Sequence, residues 1–245
     1  MDPDKLDRLI FGGDDQEDGL SDLDRLIGIE EDPQQNARGK KDRPLAITDN
    51  PRHARRAARR EYRNTVRIDN AIEALGGLPR KNETWHQVMN ANYDSFDFVP
   101  AMLALKPKHR IEELYLASLG FNAKNTLSLI ELLKGGRIAR ASMLVSLYYV
   151  ANPAERDVCY TLQTELPKFG GFYHASRSHA KLILARFSDR SAFVIESSAN
   201  LRTCRCIEQF AITQDAKLFD FHAGWIRAVY EAETKKDAAA GKRRD

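Results

Sequence analysis

Strand-like and helix-like apolar patterns alternate along the chain from residue 93 onward. The first pair is a strand pattern over residues 110–121 and a helical pattern that begins at Asn122, a good N-cap, and stops at Gly135-Gly136. The remaining predicted elements are a strand over 137–150, a helix over 152–166, strands around residues 179 and 193, and a helix over 218–232. This order is typical of the α/β class, and it predicts a mixed β-sheet flanked by helices.

Two details of this pattern predict where the core lies. Residues 143–150 are nearly all apolar, as expected of a central strand that is buried on both faces. Leu127, Ile130 and Leu133 recur at helical spacing and predict one buried helix face. The final helix is expected to cover one face of the sheet with four apolar side chains, Phe219, Trp225, Ile226 and Val229.

The modest net charge of +3 conceals a strong segregation of charged residues. Residues 1–35 hold twelve acidic side chains against three basic ones, whereas residues 36–67 hold eleven basic against three acidic. Such segregation indicates segments with different partners. We therefore divide the chain into a disordered acidic segment over 1–36, a basic helical segment over 37–92, a folded α/β domain over 93–234 and a basic tail over 235–245.

The acidic segment contains an internal repeat, because the pentapeptide Leu-Asp-Arg-Leu-Ile at residues 6–10 recurs at residues 23–27. Two copies of an apolar pentapeptide in a solvated segment are typical of a docking peptide that a protein partner binds twice. A chance duplication, or a helix that folds back on its own domain, explains the pattern equally well. The acidic charge is also suited to masking the basic segment when no nucleic acid is bound.

The basic segment is predicted to form a helix that begins at Asn50-Pro51 and ends near Gly76-Gly77. Its arginines follow helical spacing and form a cationic ridge, with Arg55, Arg56, Arg59, Arg60 and Arg63 as the expected contacts to substrate phosphates. Such a ridge attracts the dense phosphate charge of DNA or RNA. The alternative is a solvated helix face, although so many arginines with few acids repel one another when no anion is present.

Several function classes are disfavoured by the composition. No run of about eighteen apolar residues is present, so no membrane span is expected. The first twenty residues are acidic and lack the apolar core of a signal peptide. Three cysteines form no disulfide framework, which favours a reducing, cytoplasmic location. Cys204 and Cys206 have a spacing that allows metal binding, but they lack a second ligand pair, and small buried side chains are the simpler interpretation.

The residues that carry chemistry are His179 and Lys181, followed by Ser198 and Asn200, and then by Glu208. If the first two pairs lie on neighbouring strands, side chains two residues apart share a face. An imidazole, an ammonium and two neutral hydrogen-bonding groups would then converge on one point. That is a suitable set of groups for holding a phosphate and attacking it.

This pattern resembles the HKD motif of the phospholipase D superfamily, in which His-x-Lys is followed by Asp, by Gly-Ser-x-Asn and by Glu. The resemblance implies that His179 is the nucleophile and forms a phospho-histidine, and that Lys181 binds the phosphate oxygens. It also implies that Ser198 and Asn200 donate hydrogen bonds to those oxygens, and that Glu208 accepts one from the far nitrogen of His179. No cofactor and no metal are implied.

The chain departs from the family pattern at four positions. Arg186 stands where the family has Asp, and Asp189 comes three residues later, where it suits the turn of a hairpin. Ser197 replaces the family Gly, and Cys206 stands where an Asn is common. These departures leave a second hypothesis open, a non-catalytic protein that keeps the fold and binds nucleic acid, or an adaptor that recruits a partner.

Only one His-x-Lys occurs in the chain, whereas the resembled mechanism uses two histidines, one to attack and one to protonate the leaving oxygen. Single-motif members of the family form a two-fold dimer with a site that straddles the axis, so the resemblance implies a homodimer. His174 and His222 are interpreted as structural. The leading hypothesis is a metal-independent phosphodiesterase that acts on nucleic acid, either DNA or RNA.

Overall fold

The computed structural model describes residues 59–64, 71–90, 94–202 and 206–241. Eight strands of these residues form one sheet with the order β1-β2-β8-β7-β6-β3-β4-β5. The strands are β1 (Arg59–Asn64), β2 (Glu83–Asn90), β3 (Ile111–Ser118), β4 (Ala141–Ser146), β5 (Tyr173–Ser176), β6 (Leu182–Phe187), β7 (Ala192–Ser197) and β8 (Ile207–Gln214). The helices are α1 (Ala71–Leu75), α2 (Phe98–Leu105), α3 (Ala123–Lys134), α4 (Leu147–Val150), α5 (Arg156–Glu165) and α6 (Ala216–Gly241).

The sheet is mixed, as predicted. β3, β4 and β5 are parallel, and β6, β7 and β8 continue from β3 as antiparallel neighbours. The last residues of β3, β4, β5 and β7 therefore lie at the same end of the sheet as the first residues of β6 and β8. We call this end of the sheet the site end, because the predicted catalytic residues flank these strands.

Helices cover both faces of the sheet and create two cores. α6 covers one face, where its side chains Phe219, Ala223 and Ile226 are buried against β-strand residues such as Leu184 and Val194. This confirms the predicted covering role of the final helix. The opposite face carries the larger core, to which α2, α3 and α5 contribute Met102, Leu129 and Leu162. None of the described helices has the length and apolarity that a membrane span requires.

Two predicted helix starts, at Asn122 and Asn152, are confirmed by their caps, whereas the start predicted at Asn50-Pro51 lies outside the described residues. The Asn122 side chain accepts a hydrogen bond from the backbone N–H of Asn125 at 2.8 Å, which satisfies one of the unpaired donors at the start of α3. The Asn152 side chain accepts from the N–H of Ala154 at 3.1 Å at the start of the short 3-10 helix that leads into α5. The predicted buried face of α3 is only partly correct, because Ile130 and Leu133 are buried but Leu127 is exposed.

The long apolar strand predicted over residues 143–150 is wrong in its second half. β4 ends at Ser146, whose hydroxyl accepts a hydrogen bond from the N–H of Tyr148 at 3.3 Å and so caps α4. Leu147, Tyr148 and Val150 are exposed. The apolar run therefore consists of a buried strand followed by a solvent-facing turn of helix. Hydrophobic periodicity alone does not distinguish these two elements in so short a run.

The basic helix predicted through Arg63 is wrong at residues 59–64, which form β1. β1 pairs in parallel with β2, and β2 pairs with β8, so both strands extend the sheet of the α/β domain. The predicted domain boundary at residue 93 thus falls inside the sheet. Tertiary pairing overrides helix propensity here, which is a weak determinant on its own. The acidic segment with its two repeats lies outside the described residues.

Candidate active site

His179 and Lys181 lie at the site end, but they precede β6 rather than forming part of it, which corrects the predicted strand placement. They belong to residues 177–181, which connect β5 to β6. These two strands are separated by β4 and β3, so the connection crosses the ends of both. Three strand spacings amount to about 14 Å, and residues 176–182 reach about 20 Å when fully extended. The crossing segment therefore spans this distance without being fully extended.

The backbone around His179 is anchored on both sides. Upstream, the N–H of Ser178 donates to the carbonyl of Ser176 at 2.8 Å, and the Ser178 hydroxyl accepts from the N–H of Ala180 at 3.2 Å. Downstream, the carbonyl of Lys181 accepts from the N–H of Ser197 at 3.3 Å, which continues the β6–β7 ladder. The sheet thus fixes the position of Lys181 next to the end of β7.

The two predicted catalytic side chains differ in their surroundings. The imidazole of His179 is exposed and forms no hydrogen bond with any residue that the structure describes. Lys181 is half-buried, and its Nζ donates to the carbonyl of His179 at 3.3 Å, so its ammonium lies over the backbone of the residue that carries the imidazole. A nucleophile open to solvent and a cation held beside it can approach one anion together.

Ser198 and Glu208 are brought together where β7 ends and β8 begins. The Ser198 hydroxyl donates to Oε2 of Glu208 and accepts from the N–H of Gln209 at 3.0 Å. The N–H of Ser198 donates in turn to the carbonyl of Gln209 at 3.1 Å. The hydrogen bond predicted between Glu208 and His179 is not formed, because the described partner of this carboxylate is Ser198.

Asn200 lies just beyond β7 in a loop that the domain holds firmly. Its side-chain oxygen is buried and has no hydrogen-bond partner among the described residues. The next residue is fixed at both backbone atoms, because Leu201 donates its N–H to the Ser118 hydroxyl at 3.0 Å and accepts from the Asn125 amide at 3.0 Å. An unpaired buried acceptor is unfavourable, so this amide favours a donor supplied by a ligand or a partner.

Sequence reasoning missed Ser118 and Asn125, which hold this loop. Ser118 ends β3 and is buried, and its hydroxyl also donates to the carbonyl of Gly120 at 2.8 Å and accepts from its N–H at 3.1 Å. The sequence feature that could have indicated Ser118 is a polar residue at the end of an apolar strand, two residues before a glycine. A buried hydroxyl with three partners at a strand end is more typical of a fixed support than of a solvated turn.

Arg202 forms the outer wall of the same loop. A Cβ at Gly120 would lie 2.7 Å from Arg202 Nε, so the guanidinium packs where only glycine leaves room. Arg202 forms an ion pair with Glu155, with 3.6 Å between Nη1 and Oε1. The other carboxylate oxygen of Glu155, Oε2, lies 3.2 Å from the Tyr149 hydroxyl. That hydroxyl donates to the carbonyl of Phe121 at 2.6 Å. Burial, followed by the charge of Glu155, raises the pKa of Tyr149, which keeps its phenol protonated as a donor.

The two residues at the altered Asp position of the motif lie away from the site end. Asp189 is in the β6–β7 turn at the opposite end of the sheet, where it accepts from Lys106 Nζ at 2.7 Å and from the Ser191 hydroxyl at 2.6 Å. Partial burial opposes ionisation, but these hydrogen bonds together lower the pKa of Asp189 to about 2. Arg186 is paired with Asp220 and lies over the Phe219 ring. The interpretation of Asp189 as a hairpin residue agrees with this placement.

The three predicted phosphate-contacting arginines that the structure describes lie on β1, several strands away from β6. Arg55 and Arg56 lie outside the described residues, while Arg59, Arg60 and Arg63 belong to β1. β1 is separated from β6 by β2, β8 and β7, which is about 19 Å at the usual strand spacing. Helical spacing does not apply to a strand, so the predicted ridge is wrong for these three residues.

The fold and the site define an α/β protein with a mixed sheet and a polar cluster of His, Lys, Ser, Asn and Glu at one sheet end. No family model matches the chain. No curated protein matches it either. Solved structures do match. Nuc from Salmonella typhimurium, a phospholipase D family member, is 13% identical over 61% of this chain and 96% of its own, with a TM-score of 0.43.

Two other solved structures are similar over a smaller share of their length. Polyphosphate kinase from Porphyromonas gingivalis is 16% identical over 56% of this chain, with a TM-score of 0.42, and this chain spans 24% of that one. Yeast tyrosyl-DNA phosphodiesterase is 13% identical over 53% of this chain and 31% of its own, with a TM-score of 0.32. At these identities the similarity of all three structures to this chain concerns the fold alone.

Proposed function

We propose that the chain is a metal-independent phosphodiesterase that acts on nucleic acid. The observation that carries the proposal is the exposed side chain of His179 two residues before Lys181, whose ammonium contacts the His179 carbonyl where β6 begins. The Ser198 hydroxyl and the Asn200 amide follow the neighbouring strand β7 at the same end, although the single Ser198 proton is donated to Glu208. These groups supply a nucleophile, a fixed positive charge and, in the Asn200 amide, a neutral donor for the phosphate oxygens.

The reaction we propose has two displacements. A ring nitrogen of His179 attacks phosphorus, a P–N bond forms, and the P–O bond to the leaving oxygen breaks with its electron pair. A second histidine protonates that oxygen. Water then attacks phosphorus and transfers its proton to the second histidine, while the P–N bond breaks and His179 is regenerated. Lys181 stabilises the charge on the phosphate oxygens throughout.

We propose that the second histidine is His179 of another copy of the chain, in a homodimer with one composite site. The site end carries an exposed apolar surface that suits such an interface, formed by Leu147, Tyr148 and Val150 of α4. In a dimer, Oε1 of Glu208 is the carboxylate oxygen that remains for an imidazole, since Oε2 is used by Ser198. A reducing, cytoplasmic location fits the free thiols of Cys159 and Cys206.

The nucleic-acid substrate rests on the charge of residues 36–67, a region that includes β1. Eleven basic side chains against three acidic ones over residues 36–67 give this region an affinity for phosphate-rich polymers. Such contacts position the backbone and do not select a base sequence. DNA and RNA fit this argument equally.

A second function is favoured by one observation. Glu208 is hydrogen-bonded to Ser198 rather than to His179, and Arg186 occupies the place of the motif's Asp. A non-catalytic protein would keep a phosphate-binding end without an oriented nucleophile, and it would bind nucleic acid or serve as an adaptor. The repeats over residues 6–10 and 23–27 would then recruit the protein partner.

One assay separates these functions. A phosphodiesterase is expected to cleave a labelled oligonucleotide or plasmid in EDTA, and His179→Ala should abolish cleavage while binding persists. His109→Ala is the matched control, because His109 is at the opposite end of the sheet beside Asp189. A wild-type protein that binds with strong salt dependence but cleaves neither DNA nor RNA would refute the enzymatic proposal and support the binding protein.

A further inference from the structure

The strand that leads into the His179 segment has little support of its own. β5 has four residues and is at one edge of the sheet, with β4 as its neighbour among the described strands. Its last residue, Ser176, is followed directly by the crossing segment 177–181. A short edge strand paired on one side frays more readily than a central strand. The position of His179 therefore depends on what holds β5.

Glu233 of α6 holds β5 through two side chains. His174 Nε2 lies 2.6 Å from Oε2 of Glu233, and the Ser176 hydroxyl donates to Oε1 at 3.1 Å. His174 and Ser176 are two residues apart on the strand and therefore share a face. Each carboxylate oxygen thus engages one residue of the strand, and the second of these is the last residue before the crossing segment.

Aromatic packing next to Glu233 reinforces this attachment. The rings of Phe172 and Tyr230 stack in parallel at a centroid distance of 4.2 Å, and the His174 ring meets Tyr230 edge-on at 5.7 Å. Tyr230 precedes Glu233 by three residues, so both face the strand from the same side of α6. The His174 side chain is only 16% exposed, which shields its hydrogen bond to Glu233 from water.

We propose that Glu233 is a positioning residue for the reaction at His179, an inference that rests on the proposed phosphodiesterase function. The carboxylate does not contact the substrate. It keeps Ser176 against α6, and segment 177–181, which starts from that fixed residue, then presents His179 and Lys181 over the strand ends. Glu233 lies outside the motif by sequence and belongs to the long final helix, so the motif alone does not reveal it.

The test measures local motion and catalysis together. Glu233→Ala is expected to speed amide hydrogen exchange of residues 173–181 at least about tenfold, because two hydrogen bonds to a carboxylate are lost. Exchange in β7 and α3 should stay at the wild-type rate. Cleavage in EDTA is expected to lose at least about tenfold in kcat with KM changed less than about twofold, as for a misplaced catalytic group.

Two further variants separate position from charge. Glu233→Gln keeps an oxygen that accepts from Ser176 and adds an amide that donates to an unprotonated His174 nitrogen, so it is expected to restore both readouts to within about threefold of wild type. Glu231→Ala removes the same charge from an exposed position on the same helix and should match wild type in both.

The proposal is overturned if exchange of residues 173–181 in Glu233→Ala stays at the wild-type rate, or if exchange rises equally throughout the sheet. It is also overturned if that segment loosens while kcat in a cleaving protein is unchanged. If the wild-type protein cleaves nothing in EDTA, the proposed function fails by itself. The exchange measurement then still decides whether Glu233 holds the segment.

Discussion

The Ser198 hydroxyl donates a hydrogen bond to the Glu208 carboxylate across the ladder that joins β7 and β8. The N–H of Ser198 donates to the carbonyl of Gln209, and the N–H of Gln209 donates to the Ser198 hydroxyl, so the two residues are held in register. One carboxylate oxygen is therefore used within the chain, and the other remains for an imidazole. This relationship decides how Glu208 can serve His179, and it motivates the first prediction.

Glu208→Gln is expected to lower kcat of cleavage in EDTA by about tenfold to a hundredfold, since residues that orient a functional histidine have effects of this size. Oligonucleotide affinity should stay at the wild-type value, because Lys181 and the basic region are unchanged. Single-turnover kinetics and fluorescence anisotropy measure the two quantities. Glu131→Gln, an exposed carboxylate on α3, is the control, and equal cleavage by both variants would rule out this role for Glu208.

Ser118→Ala is expected to reduce the free energy of unfolding by about 1–3 kcal/mol, because it leaves the buried N–H groups of Gly120 and Leu201 without their acceptor. Urea denaturation measures this change. Thr161→Ala also removes a hydroxyl, but an exposed one that donates to its own helix carbonyl, and should stay within about 0.5 kcal/mol of wild type. Similar losses in both variants would contradict the role of Ser118.

Acid is expected to weaken the fold through Asp189. Its folded pKa of about 2 lies below the ordinary aspartate value of 3.8, so its ionised form stabilises the fold above pH 4. That contribution is lost as the pH falls from about 4 to about 2. Asp189→Asn should therefore be less stable than wild type at neutral pH, and the difference should shrink over this range.

Thermal unfolding midpoints between pH 2 and pH 7 test this expectation. The variant weakens the hydrogen bonds that the Asp189 carboxylate accepts from the Lys106 ammonium and from the N–H and hydroxyl of Ser191. A difference between Asp189→Asn and wild type that stays constant below pH 4 would contradict the prediction.

A composite site predicts a characteristic result when subunits are mixed. If each site needs His179 from both copies, random pairing of equal amounts of wild-type and His179→Ala chains leaves about one quarter of the dimers active. Independent sites would leave about one half of the activity. Cleavage by the co-expressed, differently tagged chains distinguishes these values, and light scattering of the wild-type protein checks the dimer itself.

Local patterns predicted the elements whose causes are local. Asn122 begins α3 because its side chain satisfies a donor three residues away, and Asp189 shapes a turn by accepting from Ser191 two residues away. The same reasoning failed at residues 59–64. Helix propensity there is countered by pairing with β2, whose position depends in turn on β8, more than a hundred residues further along the chain.

The sequence alone determined which residues can carry chemistry, the order in which they occur and the capped helices between them. These features depend on side-chain type and on spacing over a few residues. The tertiary structure alone decided that β5 and β6 lie three strand positions apart, so that His179 is on a segment that crosses the ends of β4 and β3. It also paired Glu208 with Ser198 and brought Glu233 to β5. Strand order and helix packing depend on interactions between residues that are distant in the chain. The local spacing of residues therefore does not predict them.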